Sequence, residues 1–256
     1  MTPGGPARRR DAPHNPPCSV RPKALLGLAI PLVCAALFVR LGFWQVARHQ
    51  ERAAYNAAVA ARLAERPAPF GTLPDDSGAV RGRRVTLSGR FRYDLEQVQA
   101  GRVSEGSPGV HLLTPLERDG NDTLIIVTRG WVYSPDAAGA DRARWRESDT
   151  VTLAGYALPL PAEGPPAPAD SSRPLRSLNQ AAFVARLGRP VAAVQVVMTS
   201  DSAARADSVP RRLGSPVLSP GSHKSYAIQW FAFACIAVAG GLLLFRRNVA
   251  EDRAAS

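Results

Sequence analysis

Two apolar runs near the chain ends, separated by a long stretch where apolar and polar positions alternate, set the architecture. From Tyr226 to Phe245 no side chain is charged, and Arg246 and Arg247 follow at once. About 20 such residues make one helical crossing of a roughly 30 Å hydrocarbon core, so this run predicts a transmembrane helix. The run from Ala24 to Val39 is also apolar, and Arg40 interrupts it before Leu41-Gly42-Phe43-Trp44. Counted through Trp44 it again reaches about 20 residues. A cleaved signal peptide is the rival reading. The run is long for such a segment, and no clean small-residue cleavage site follows it directly.

Between the two runs the period changes. The segment from Gln45 to Glu65 is rich in Ala, Arg and Glu and free of Pro and Gly, which predicts a helix continuing out of the membrane until Pro67 and Pro69 stop it. Arg84 to Phe91 alternates apolar and polar at period two, a strand signal, and Val98 to Val103 is a candidate partner for it. Val110 to Leu116 reads as a further strand, ended by Pro115 and the Asp119-Gly120 turn. The run from Thr123 to Val132 would close a hairpin with it. Val151 to Leu158 repeats the pattern of the first strand. Residues 159–170 are Pro- and Ala-rich and predict a loop. Ser177 with Gln180 forms a capping box for a helix to Leu187, which Gly188 terminates. Val191 to Met198 is the last strand, and residues 200–222 link to the final helix.

The expected class is therefore membrane-anchored α+β, with two transmembrane helices flanking a mainly antiparallel β domain. Its parts are a disordered basic tail over 1–23, a first span over 24–46, an extracytoplasmic domain over 47–225, a second span over 226–245 and a short tail over 246–256. Arg8, Arg9, Arg10, Arg21 and Lys23 precede the first span, and Arg246 and Arg247 follow the second. Basic flanks stay on the cytoplasmic side, so both termini are expected there. Ala, Arg, Gly and Pro abundance suggests a bacterial chain, and with it the inner membrane.

Composition narrows the function. The net charge is +11, but the arginines are scattered and no recognition motif accompanies them, so nucleic acid is not an expected partner. The three cysteines are Cys18, Cys34 and Cys235. With none in the long middle segment, neither a disulfide framework nor a thiolate copper site is expected there. No nucleophile elbow, zinc-protease signature, phosphate loop or dinucleotide fingerprint is present, which leaves an enzyme reading little to stand on.

The histidines carry more. His14 lies in the tail and His111 in a strand, where a half-buried structural role is the simpler reading. His49 follows the first span by one turn and His223 precedes the second, so both belong near the outer membrane surface. Two readings stand for His223: an interfacial histidine bonding lipid headgroup or backbone, and an axial ligand of haem iron, for which an imidazole at an apolar interface is suited. The second also needs aromatic walls, available in Trp44, Tyr226, Trp230 and Phe231, and cations for the propionates, available in Arg40, Arg48 and Lys224. Arg40 has its own alternative, a side chain snorkelling to the interface. Gln45 and Gln229 sit at the outer ends of the two spans, where a polar group bonds a neighbouring helix, either the other span or a partner protein.

Four blocks, in order, resemble the Surfeit-locus-one family of cytochrome c oxidase assembly factors. They are Leu41-Gly42-Phe43-Trp44-Gln45-Val46-Ala47-Arg48; Val85 to Phe91; Pro108 to Leu116 with Val127-Thr128-Arg129-Gly130-Trp131-Val132; and His223 to Phe231. The resemblance spans nearly the whole chain after the tail. It implies a non-enzymatic role in inserting haem a into oxidase subunit I, with His223 as the iron ligand and with subunit I and possibly haem a synthase as partners. Two alternatives remain at this point. One is a structural chaperone holding oxidase subunits through Trp44, Gln45 and the Arg129-Gly130-Trp131 strand without haem. The other is an anchored extracytoplasmic enzyme.

Overall fold

A computed structural model of the chain describes residues 22–168, 170, 172–199 and 209–254. The basic tail expected over residues 1–23, with His14 and Cys18, lies outside these up to position 21. The described chain forms two compact units, one drawn from residues 1–52 and 220–256, the other from 53–219.

The first unit is a pair of antiparallel helices, α1 (Pro22–Ala64) and α4 (His223–Ala254). The predicted helix beyond the first span is thus one continuous helix with it, because nothing between Gln45 and Ala64 breaks the hydrogen-bond ladder. Likewise α4 runs past Arg246 and Arg247 to Ala254. Small residues line the seam. A Cβ on Gly241 would stand 2.7 Å from the Pro31 ring, and one on Gly42 2.6 Å from the Phe231 ring. Ala35, Ala227 and Ala234 are buried there as well. In hydrocarbon there is no hydrophobic force between helices, so close packing of small residues does this work. The outward faces expose Ile30, Val33, Leu37, Ile236 and Leu243, each by more than half. A soluble protein does not leave so much contiguous apolar surface uncovered, and the chain is membrane-anchored through this pair.

The second unit is built on a sheet in the order β1-β2-β6-β7-β5-β4-β3. The strands are β1 (Ala68–Pro69), β2 (Arg84–Phe91), β3 (Gln97–Ser104), β4 (Ser107–Arg118), β5 (Asn121–Tyr133), β6 (Thr150–Pro159) and β7 (Val194–Met198). Pairing is antiparallel except for β1–β2 and β5–β7. The end of β2 also pairs with β4, Arg90 opposite Glu117 and Phe91 opposite Leu116, so β2, β6, β7, β5 and β4 close on themselves. Val85, Leu87, Phe91, Leu116, Ile125, Val127, Leu153 and Val196 fill the interior of this ring. On its outside, α3 (Gln180–Leu187) packs Phe183 and Leu187 over Leu113, Leu124 and Ile126. A four-residue helix, α2 (Ser77–Val80), is capped by the Asp76 carboxylate.

Three local expectations change. Val98 to Val103 pairs with β4, not with the first strand, since β2 has both its edges taken by β1, β6 and β4. Pro115 does not end its strand but sits inside β4 opposite Ile126. Its carbonyl accepts from Arg92 N at 2.8 Å, so its nitrogen faces the same side and the missing N–H costs β5 nothing. Finally α3 is capped by Asn179, whose Oδ1 accepts from Ala182 N at 2.8 Å, and not by Ser177. Gly188 ends it in the left-handed conformation, as read from the sequence.

Candidate functional site

The first and last helices bring together two of the residues singled out above. Gln45 Oε1 lies 2.9 Å from His223 Nδ1. An amide oxygen only accepts, so Nδ1 carries the proton and donates. In a neutral imidazole the other nitrogen, Nε2, then holds a lone pair. A Cβ on Gly221 would stand 3.2 Å from ring Cδ2 and 3.5 Å from Nε2. Glycine at that position keeps this side of the ring clear, and its φ of 73° in the turn before α4 also favours it. In that neutral tautomer the arrangement presents one oriented lone pair, which is what metal ligation by histidine requires.

Below it the seam is aromatic. Trp230 stacks on Phe38 with centroids 5.6 Å apart, and Phe233 stands edge-on to Trp230 at 5.9 Å. Phe43 meets Phe231 edge-on at 5.4 Å. Phe38 and Phe43 escaped sequence reasoning, because a phenylalanine inside an apolar run carries no signal of which neighbour it meets. Trp44 is half exposed, and Arg48 lies over its ring while pairing with Glu51 at 2.8 Å. Arg48 is thereby committed within its own helix. Arg40, Lys224, Tyr226 and Gln229 are exposed. His49 lies one turn beyond Gln45 on the same helix face, half buried, its Nδ1 enclosed without a hydrogen-bond partner among the described residues. The residue that meets His223 across the helix pair is therefore Gln45.

Of the Arg129-Gly130-Trp131 strand expected to meet a partner, Arg129 and Gly130 are buried and Trp131 is half-buried. Thr128 stands opposite Leu113 and Gly130 opposite Leu112, so Arg129 is the extra residue of a β-bulge; it follows Ile125 and Val127 onto the interior face. It is fully buried, bonding Glu96 at 2.7 Å, Glu147 at 2.8 Å, the Thr114 hydroxyl at 2.7 Å and the Trp145 carbonyl at 2.6 Å. Phe91 and Tyr93 face its guanidinium. Burial alone would lower the Arg129 pKa, but the charge and hydrogen bond of Glu96 outweigh it and raise it. Burial pushes the Glu147 carboxyl up, yet Arg212 and Arg129 together hold it below the usual carboxylate range. Gly130 packs against the Arg211 backbone, and Trp131 exchanges main-chain hydrogen bonds with Arg211. Its indole N–H donates to the Arg102 carbonyl at 3.3 Å. Arg129 and Gly130 thus hold the domain together from within, and Trp131 ties β5 to the segment at Arg211.

Fold and site together define a membrane-anchored α+β protein with a helix pair that orients a histidine at one end. The sequence profile of the SURF1 family matches residues 32–235, and the chain belongs to that family. It is 28% identical over 224 residues to a SURF1-like protein of Mycobacterium bovis, covering 85% of this chain and 80% of the relative. A SURF1-like protein of Monosiga brevicollis is 30% identical over 50% of this chain and 51% of its own. The cytochrome oxidase assembly protein SHY1 of Saccharomyces cerevisiae is 30% identical over 47% of this chain and 31% of its own.

Proposed function

We propose that this protein is an assembly factor for cytochrome c oxidase that carries haem a as cargo and passes it to subunit I. Family membership and the naming of the yeast relative as a cytochrome oxidase assembly protein support oxidase assembly. The observation that carries the haem reading is the Gln45–His223 hydrogen bond. It fixes the tautomer that leaves Nε2 as a donor to iron, and a single neutral imidazole gives the exchangeable ligation that a carrier needs. Trp230 with Phe38 would offer an aromatic wall to the macrocycle, Trp44 and Tyr226 a second apolar boundary, and Arg40 and Lys224 cations for its propionates. The enclosed Nδ1 of His49 makes it the candidate for a second polar contact. Trp44 and Gln229, facing outward, are the residues for contact with subunit I, with haem a synthase as the source of the cargo. The working orientation has both termini in the cytoplasm of a bacterium and the sheet domain outside the inner membrane.

The test is complementation of a strain lacking the protein. Reduced-minus-oxidised spectra of its membranes would read the oxidase, and extraction would read total haem a. We expect the a-type oxidase signal to fall while haem a is still made, and His223→Ala to fail to restore it. Purified wild-type protein should carry haem a pigment and His223→Ala should not. Full restoration by His223→Ala would refute haem carriage through this residue and leave a purely structural chaperone. A normal oxidase signal in the deletion strain would refute the assembly role.

A further inference from the structure

The outer face of the β-sheet ring is apolar under α3 but changes character beyond it. There a cleft of about 380 Å³ opens, floored by Gln99, His111, Thr128 and Gln195 and rimmed by Arg102 and Arg176. Sheet register explains why these polar groups share one face. Gln99 stands opposite His111 on β4, and Thr128 opposite Val197 on β7, two residues from Gln195. Strict alternation would send Arg102 to the other face. A β-bulge between Gln99 and Arg102, with Gly101 at φ 69°, adds one residue and turns Arg102 back to the side of Gln99 and His111. The Arg129 bulge described above likewise keeps Thr128 and Trp131 on one side. Two bulges thus converge on the same cleft.

The polar groups there are under-used. Gln99 is 4% exposed, yet its side-chain amide makes no hydrogen bond among the described residues. Gln195 Oε1 accepts only a long bond from Thr128 at 3.4 Å. Arg102 Nε is enclosed and unpartnered, and neither Arg102 nor Arg176 pairs with a carboxylate among the described residues. A half-desolvated guanidinium with an enclosed, unpartnered Nε is costly, and such a group in a native structure calls for a ligand. Among the described residues no acid lines the cleft. His111 is uncharged at neutral pH, because burial, with help from the Arg102 charge, pushes its pKa down to about 4. The described residues of the site therefore offer two cations and neutral donors and acceptors, without a carboxylate.

We propose that this cleft binds a small organic oxyanion, a phosphorylated or carboxylated metabolite, with Arg102 and Arg176 on its anionic group and Gln99 and Gln195 on its polar body. A guanidinium fork suits both phosphate and carboxylate, and the volume admits a molecule of the size of citrate or glycerol 3-phosphate but not a haem. This site lies within the sheet unit and does not depend on the haem reading.

The experiment is titration of the full-length protein in detergent with citrate, glycerol 3-phosphate and inorganic phosphate, with glycerol as the neutral control, followed by calorimetry and thermal unfolding. We expect saturable binding of at least one oxyanion in the millimolar range or tighter, a raised melting temperature, and no response to glycerol. Citrate binding without glycerol 3-phosphate binding assigns a carboxylate, and the converse a phosphate. Arg102→Gln and Arg176→Gln should each weaken binding about tenfold or more. Should a variant fold poorly, the ring resonances of labelled His111 in the wild type report the same event, moving with oxyanion and not with glycerol. Absence of binding by all three oxyanions, or binding as tight as wild type by both arginine variants, overturns the proposal.

Discussion

Arg129→Met tests whether the buried charges at the end of the β-sheet ring are as tightly coupled as their geometry implies. The substitution keeps an unbranched apolar stem and removes the guanidinium. Glu96, 1% exposed, would retain the Thr114 hydroxyl but no cation, and its Oε1 already lacks a partner. Glu147 would keep Arg212 and so stay neutralised. The loss therefore falls mainly on one stranded carboxylate, together with the unsatisfied Trp145 carbonyl. Breaking a buried pair in this way costs about 3–5 kcal/mol. Against a domain stability of about 5–15 kcal/mol that is about a fifth or more of the total. Replacing both charges, Arg129→Met with Glu96→Leu, removes the stranded carboxylate and should recover at least about 1.5 kcal/mol relative to Arg129→Met alone. Denaturant unfolding of the full-length protein in detergent, followed by tryptophan fluorescence, reads both, since Trp131 and Trp145 lie in this unit. A cost below about 1 kcal/mol for Arg129→Met, or a double variant no more stable than that single one, would refute the reasoning.

Three further outcomes are expected. Gln45→Leu removes the acceptor that fixes the His223 tautomer while leaving the imidazole in place, so haem a retention by the purified protein should fall about 10–100-fold; Gln45→Glu, which still accepts from Nδ1, should retain most of it, and identical losses in both would contradict an orienting role. The depressed pKa of His111 means that the unfolded chain binds a proton between pH 6.5 and about 4 that the folded chain refuses. Its contribution to stability is therefore intact above pH 6.5 and is lost on acidification, by up to about 3 kcal/mol; wild type should lose more stability than His111→Asn between pH 7 and pH 4.5, and equal losses would sink the assignment. Gly42→Leu places a side chain where a Cβ alone would stand 2.6 Å from the Phe231 ring, and should weaken the helix pair by about 1–3 kcal/mol, read as a lower melting temperature. An unchanged melting temperature would mean that the seam is looser than its contacts indicate.

The sequence by itself determined the elements whose signal is local. The two apolar runs gave the two long helices, because length and lack of charge alone decide what can cross hydrocarbon. Period-two alternation gave β2 almost residue for residue, and the Asp119-Gly120 turn gave the β4–β5 hairpin, with Arg118 opposite Asn121. The residue types at the membrane interface pointed to His223 and Gln45 separately. Only the tertiary structure decided that these two meet, since hydrogen bonding across 178 positions leaves no periodic trace. The same holds for the closure of β2 onto β4 and for the fate of Arg129. An arginine in a strand reads as a solvent-facing residue, but Arg129 follows Ile125 and Val127 onto the interior face, where Glu96 and Glu147 supply the countercharge. Bulges add a residue without changing composition or pattern, so the face on which Arg102 lies is a property of register, and register is set by the partner strand.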